Sequence, residues 1–416
     1  MPDFRTAGAT AKRLKRHRHT AEMEDRDDNH QINKECLIPG IPDHIAQLCL
    51  SPVRPSVLSS VCRSWRRLIY APSFPPFLSV YALLLPIGTH PHQSDVLQFT
   101  SFDPISRKWN FLPPPPPPPL RFLVRHPSFI SRKLSVQSVT VSGKLVVVAA
   151  TNDQFLPALS RPLVFDPLSM EWSFGPQFSA PRRWCAAGAI RDTVYVASGV
   201  GAHYNNDVSR SLEKWNLIEN ESRSPELHRR RWSWERIREL KDGKFSREAI
   251  DAVGWRGKLC MVNVKGDAAK EGIIYNVDSD LWEEMPEGML AGWRGPAAAM
   301  AEETIYMVDE SKGSLKKYDH VTDTWEVVVD SEVLKGAQNV AAAAGKVCVV
   351  SGDCATIAVV DVAAAAAPVR LWVVEVPDEF QIVAIHILPR LCGGDFHFPS
   401  RIFGEKIKKE RRERRK

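Results

Sequence analysis

A chain of 416 residues with 44% hydrophobic and 25% charged residues is too long for one small domain and too apolar to be disordered throughout. Its formal charge of +6 sits in two tails: residues 11–19 (AKRLKRHRH) and 405–416 (EKIKKERRERRK) each carry +5, leaving a body of −4. That distribution argues against a nucleic-acid-binding body in spite of the sequence pI near 8.8.

Residues 1–34 read as a basic and acidic disordered tail, whose short basic run suits a solvated segment or a nuclear-import signal. The N-terminus has no apolar stretch of the kind that marks a secretory signal. The eight cysteines are scattered without a CxxC, which predicts buried, reduced thiols in a cytoplasmic or nuclear protein. The most apolar run, Phe77 to Gly88 (FLSVYALLLPIG), falls short of the roughly 20 residues that a bilayer-spanning helix needs. No membrane partner is expected.

Residues 35–77 carry helical periodicity. In LIPGIPDHIAQLCL, Pro39 and Pro42 suit the start of a helix, where the first N–H groups have no intrahelical acceptor. Asp43 then stands in the first turn, favourable for the helix dipole. Ile45, Leu48 and Cys49 recur at i, i+3, i+4 and mark an apolar face. In SVLSSVCRSWRRLI, the residues Val57, Leu58, Val61, Cys62, Trp65, Leu68 and Ile69 fill one helical stripe, and Pro72 ends it. So short a helical module buries little on its own, so docking to a partner is the natural expectation.

From about residue 78 to 390 the pattern changes to short β-branched runs alternating with turn residues. One motif repeats in FDPISRKW (102–109), FDPLSMEW (165–172), YNVDSDLW (275–282) and YDHVTDTW (318–325), always with six residues from Asp or Asn to Trp. Trp215-Asn216 reaches Trp234 and Val360-Asp361 reaches Trp372 across insertions. A turn-capping Asx and a packing Trp describe a hairpin, and a single such unit cannot cover both of its faces, so the copies must stack. Tryptophan spacings fall to the four-stranded blade period of a propeller. Six copies point to six blades, with five or seven as alternatives, and QIVAIHIL (381–388) is available as a closing strand. A β-sandwich is the competing architecture.

Catalytic signals are weak. His90 and His92 form a lone HxH without a third ligand, His17 and His19 lie in a basic tail, and no GxSxG, P-loop or GxGxxG is present. The reading is therefore of a non-enzyme with no metal and no cofactor. Aligned on their strands, the repeats place Lys133, Arg182, Arg247, Arg294 and Lys335 at equivalent positions eleven or twelve residues upstream. These predict a cationic rim that would suit an acidic or phosphorylated protein substrate. The run LPPPPPPPL (112–120) favours polyproline II geometry, as a stiff loop or as a ligand for a proline-reading domain. Residues 391–416 read as a basic tail.

The N-terminal module resembles an F-box: Leu37 with Pro39, Pro42-Asp43, and Val61-Cys62-Arg63-Ser64-Trp65-Arg66-Arg67-Leu68-Ile69 match that family's recurrent elements. The Asp-to-Trp repeats resemble degenerate kelch repeats, and the whole chain is similar to plant F-box/kelch-repeat proteins. The resemblance implies a small all-α module followed by an all-β kelch-type propeller. It also implies a non-catalytic adaptor of an SCF-type cullin-RING ubiquitin ligase. Leu37, Pro39, Pro42, Ile45, Leu48, Val57, Val61, Cys62, Trp65, Leu68 and Ile69 would then dock a Skp-type subunit, and through it a cullin, while the propeller holds the substrate. The alternative is a kelch scaffold outside any ligase, or a propeller that binds a small molecule.

Overall fold

A computed structural model of the protein describes residues 36–390 apart from 52, 54, 70–77, 88–95, 105–106, 117–135, 153, 204, 218–231, 242, 244, 246–248, 266–267 and 364–368. Both charged tails, His17, His19, His90, His92, Lys133, Arg247 and the proline run beyond residue 116 lie outside the described residues.

Three helices come first: α1 (Asp43–Leu50), α2 (Pro55–Val61) and α3 (Arg63–Ile69). The strands then fall into six four-stranded antiparallel sheets. The first is opened by β1 (Leu78–Pro86), β2 (Gln98–Asp103) and β3 (Lys108–Phe111). The second holds β4 (Val136–Val141), β5 (Lys144–Ala150), β6 (Leu163–Asp166) and β7 (Glu171–Phe174), and the third β8 (Ala186–Ile190), β9 (Thr193–Ala197), β10 (Leu212–Asn216) and β11 (Glu235–Arg236). The fourth holds β12 (Ala249–Trp255), β13 (Lys258–Lys265), β14 (Ala268–Asn276) and β15 (Leu281–Glu284). In the fifth are β16 (Ala297–Met300), β17 (Thr304–Asp309), β18 (Ser314–Asp319) and β19 (Thr324–Asp330), and in the sixth β20 (Asn339–Ala343), β21 (Lys346–Val350), β22 (Thr356–Asp361) and β23 (Arg370–Glu375).

The last strand, β24 (Phe380–Pro389), returns to the first sheet and pairs with β1 from Leu78↔Pro389 to Pro86↔Phe380. The expected closing strand thus becomes the innermost strand of blade one. Innermost strands β24, β4, β8, β12, β16 and β20 touch in that order and back to β24, so the six blades form a closed ring. Each neighbouring pair of blades shares one apolar cluster, which supplies the second face that a lone blade lacks.

The repeat motif has a physical reading at each of its positions. The aromatic residue before the Asx pairs across the hairpin with the Trp, as in Phe102↔Trp109, Phe165↔Trp172, Tyr275↔Trp282 and Tyr318↔Trp325, with ring centroids 5.0–5.3 Å apart. The Asx side chain accepts backbone N–H groups of its own turn: Asp166 from Leu168, Asn276 from Asp278 and Asp319 from Val321. Four residues after the Asx, Arg107, Met170, Asp280 and Asp323 take the left-handed conformation that turns the chain back.

The indole N–H then stitches each blade to the one before it. Trp172 donates to Pro113 O, Trp234 to Pro176 O, Trp282 to Arg238 O, Trp325 to Met289 O and Trp109 to Glu375 O, at 2.7–3.4 Å. Trp372 departs from the expected series. It pairs with Val359, so Leu371 stands opposite Val360 at the position the other tryptophans occupy. A one-residue slip turns the side chain to the other face, and Trp372 is 43% exposed while Leu371 packs between blades five and six.

Of the seven described cysteines, Cys185, Cys260 and Cys348 are buried, and burial pushes each thiol up to about 12. Cys36, Cys49 and Cys62 are exposed, contrary to the expectation of buried thiols throughout. Among the described residues, no helix is long and apolar enough to cross a membrane.

Candidate docking surfaces

The helical module has its own core of Leu50, Leu58, Leu68 and Ile69, with Leu37, Ile38, Val53 and Trp65 packed against it. Trp65 Nε1 donates to Leu37 O at 2.6 Å, and Leu37 N donates to Asp43 Oδ1 at 3.2 Å, tying the segment before α1 to α3. The second apolar stripe does not form a single helix. It breaks at Cys62, whose Sγ accepts Trp65 N at 3.4 Å and stands 3.2 Å from Ser64 Oγ. The break sends Leu58, Leu68 and Ile69 into the core and leaves Val57 and Val61 outside.

In α1 the buried residues are Ala46 and Leu50, so the Ile45, Leu48 and Cys49 face points outward. The exposed set is therefore Ile45, Leu48, Val57 and Val61, 41–60% exposed, joined by Pro39, Pro42 and Cys62. Leu68 and Ile69, expected at a partner surface, hold the module together instead. Leu37 and Trp65 lie half-buried between the core and the surface.

The module meets the propeller through Arg390, just beyond β24. Its Nη2 donates to Ser51 O at the end of α1, and its Nη1 lies 3.6 Å from Asp103 Oδ1 in β2. Tyr81 Oη donates to Pro389 O at 2.7 Å beside it. Because β1 starts opposite Pro389, the module joins the ring at the end where tight turns connect the two inner strands of each blade. The other end carries the long connections by which the chain reaches each innermost strand.

A central channel of about 740 Å³ runs between these two ends. Its wall is largely Ala, Gly and Val, with a polar patch where His386 on β24 lies 2.8 Å from Ser138 Oγ and 3.0 Å from Thr140 Oγ1 on β4. Burial pushes the imidazole pKa down to about 4, so the ring is neutral at neutral pH, with one nitrogen donating and the other accepting. Asp251 Oδ2 accepts Ala297 N at 3.2 Å and Asn339 Oδ1 accepts Ile385 N at 3.0 Å, each joining neighbouring innermost strands. Among the described residues, no three His, Cys, Asp or Glu side chains come together as a metal site.

Of the five residues predicted for a cationic rim, Arg182, Arg294 and Lys335 are among the described residues. Arg182 is 1% exposed and points into blade three, where Nη2 reaches Glu213 Oε1 at 2.5 Å and Nη1 reaches Ser211 Oγ at 2.6 Å and Ser198 O at 3.2 Å. Ser179 Oγ also donates to Glu213 at 2.5 Å. Arg182 is a buried structural ion pair. Arg294 is exposed, Lys335 is exposed and paired with Glu332 at 2.7 Å, and Lys133 and Arg247 lie outside the described residues.

A three-helix module with exposed apolar side chains, joined to a closed ring of six four-stranded blades, defines a propeller protein with an appended helical module. Over 368 residues the chain is 52% identical to the F-box/kelch-repeat protein SKIP25 of Arabidopsis thaliana, covering 86% of the chain and 91% of that relative. It is 24% identical over 372 residues to the Arabidopsis F-box/kelch-repeat protein At1g22040, covering 71% and 72% of the two chains. It is 22% identical over 288 residues to the Arabidopsis F-box protein AFR, covering 66% and 68%. No protein-family model matches the chain. The chain belongs to the F-box/kelch-repeat family.

Proposed function

We propose that this chain is a substrate-recognition adaptor of an SCF-type cullin-RING ubiquitin ligase, carrying no catalytic step itself. Its helical module would dock a Skp-type subunit, which in turn binds a cullin, while the propeller holds a protein substrate. Such an adaptor works by raising the effective concentration of substrate near the ligase. The observation that carries this reading is the strip Ile45, Leu48, Val57 and Val61, left exposed although the module already has a core. Four large apolar side chains left exposed on so small a module support an interaction surface there. Family membership supports the same reading. The test is co-purification of the full chain with a Skp-type protein: recovery of a complex supports the adaptor role, and absence of any complex with the folded chain refutes it.

The channel of about 740 Å³ favours a second reading, a propeller that binds a small molecule. Its polar patch is already satisfied internally by the contacts of Ser138 and Thr140 with His386, which makes it the weaker of the two.

A further inference from the structure

Consecutive arginines lead into blade three and meet opposite environments. Arg182 turns inward to Glu213. Arg183 stays half-exposed at the end of the ring that carries the long connections, away from the helical module. Its Nη1 donates to Gly201 O at 2.7 Å, and its guanidinium carbon lies 4.5 Å from the ring centroid of its neighbour Trp184. Its Nε is buried without a hydrogen-bond partner, and no carboxylate pairs with the guanidinium among the described residues. Partial burial without a counter-ion lowers the pKa of this guanidinium. Its half-exposed guanidinium is thus a cation without a counter-ion, which an anion from outside can approach on its open side.

The backbone fixes this pair rather than letting it drift. Arg183 and Val200 exchange two hydrogen bonds of 2.9 Å. Gly199, at φ +95, packs so closely beneath them that a Cβ would lie 2.8 Å from Arg183 O. Trp184 is itself in the left-handed region, at φ 54. On the neighbouring blade, at the same end of the ring, Phe155 is also left-handed at φ 60 and exposed. Asn152 holds it, accepting Phe155 N on its carbonyl and Gln154 N and Leu156 N on its side chain.

Most left-handed non-glycine residues of this protein occupy the recurring hairpin turns, where the repeat requires them. Phe155 and Trp184 do not. Large aromatics in that region are conformational outliers, and such strain concentrates at binding sites. Trp and Arg, with other large aromatics, are also the side chains on which interface energy concentrates.

We propose that Arg183, Trp184 and Phe155 form the recognition site of the propeller, and that its ligand is an extended protein segment with an Asp or Glu beside a large apolar residue. The carboxylate would meet the Arg183 guanidinium, and the apolar side chain would lie against the two aromatics. A carboxylate fits better than a phosphate, because phosphate recognition draws on clustered arginines and Arg182 is committed to Glu213. This inference rests on the reading that the propeller holds a protein substrate.

The test presents the immobilised full-length chain to a displayed random peptide library and to a phosphoserine-containing counterpart. Enriched peptides should pair an acidic with an apolar residue. Their binding should fall by about tenfold or more in Arg183→Gln and in Phe155→Ser, and stay unchanged in Arg294→Gln, whose thermal unfolding serves as a reference. Phe155 lies on a separate loop, so it provides a reading even where a change at Arg183 disturbs the fold. Enrichment of neutral peptides, preference for phosphopeptides, no enrichment at all, or equal binding by both variants would overturn the proposal. Capture of a Skp-type protein is measured on the same samples. Skp capture without peptide selection sinks only this site, whereas peptide selection without Skp capture sinks only the adaptor role.

Discussion

Replacing Arg182 with Met removes the cation from a site where its carboxylate partner is equally buried. Glu213 Oε1 would keep the Ser179 hydroxyl but lose the 2.5 Å guanidinium contact, and its Oε2 has no hydrogen-bond partner even now. Breaking a buried pair from one side costs about 3–5 kcal/mol, because an uncompensated charge stays behind. Replacing both partners with apolar residues of similar size is close to neutral by comparison. Urea unfolding of wild type, Arg182→Met, Glu213→Leu and the double variant completes the cycle. Each single change should lower stability by about 3 kcal/mol or more, and the double change should recover most of that loss. Losses below about 1 kcal/mol would mean that the pair is solvated, as exposed ion pairs are, and would return Arg182 to the rim.

Three further outcomes follow from the fold. The pKa of His386 is near 4 in the folded protein, against about 6.5 in the unfolded chain. Between those values the unfolded chain binds the extra proton, so the contribution is complete above pH 6.5 and is lost as pH falls towards 4. The loss is about 3 kcal/mol by pH 4. The stability difference between wild type and His386→Gln should shrink over that window, and a flat difference would refute the neutral, buried imidazole. Trp172→Phe removes one inter-blade hydrogen bond and should cost about 1 kcal/mol beyond its packing loss, whereas Trp372→Phe should be nearly neutral in thermal unfolding. Leu68→Ala opens a cavity in the module core and should destabilise the helices by about 2–5 kcal/mol, a loss readable by proteolysis of residues 36–69, whereas Leu48→Ala should leave their resistance unchanged.

The propeller is legible in the sequence because its hairpin has a fixed arithmetic. Six residues from Asx to Trp accommodate one turn with one left-handed residue, and four copies repeat that spacing without insertion. The sixth Trp does not follow this arithmetic, because the alanine-rich insertion before it obscures register, and strand pairing decides whether Leu371 or Trp372 faces the neighbouring blade. Similarly, the helical stripe from Val57 to Ile69 looks continuous in sequence. The break comes from the thiol of Cys62 taking a capping role that is rare for cysteine, and it decides which apolar residues remain outside.

The arginine column shows the same limit at a single residue. Spacing aligns Arg182 with the other basic residues, but in the structure two adjacent arginines point in opposite directions. Only the position of Glu213 on β10 shows that Arg182 is consumed within the blade. Nothing in the sequence distinguishes Arg183 as the outward member, since its setting depends on Val200 and Gly199 from the following loop.

The central claim is that the strip on α1 and α2 is a docking face for a Skp-type subunit. Calorimetric titration of the full chain with that subunit, compared with an Ile45→Asp, Leu48→Asp double variant, tests it most directly. Burying these two side chains is worth about 3 kcal/mol or more, so the variant should bind about a hundredfold more weakly or not at all, with an unchanged unfolding curve. Equal affinity of the two proteins, or no binding by the wild type, would contradict the account.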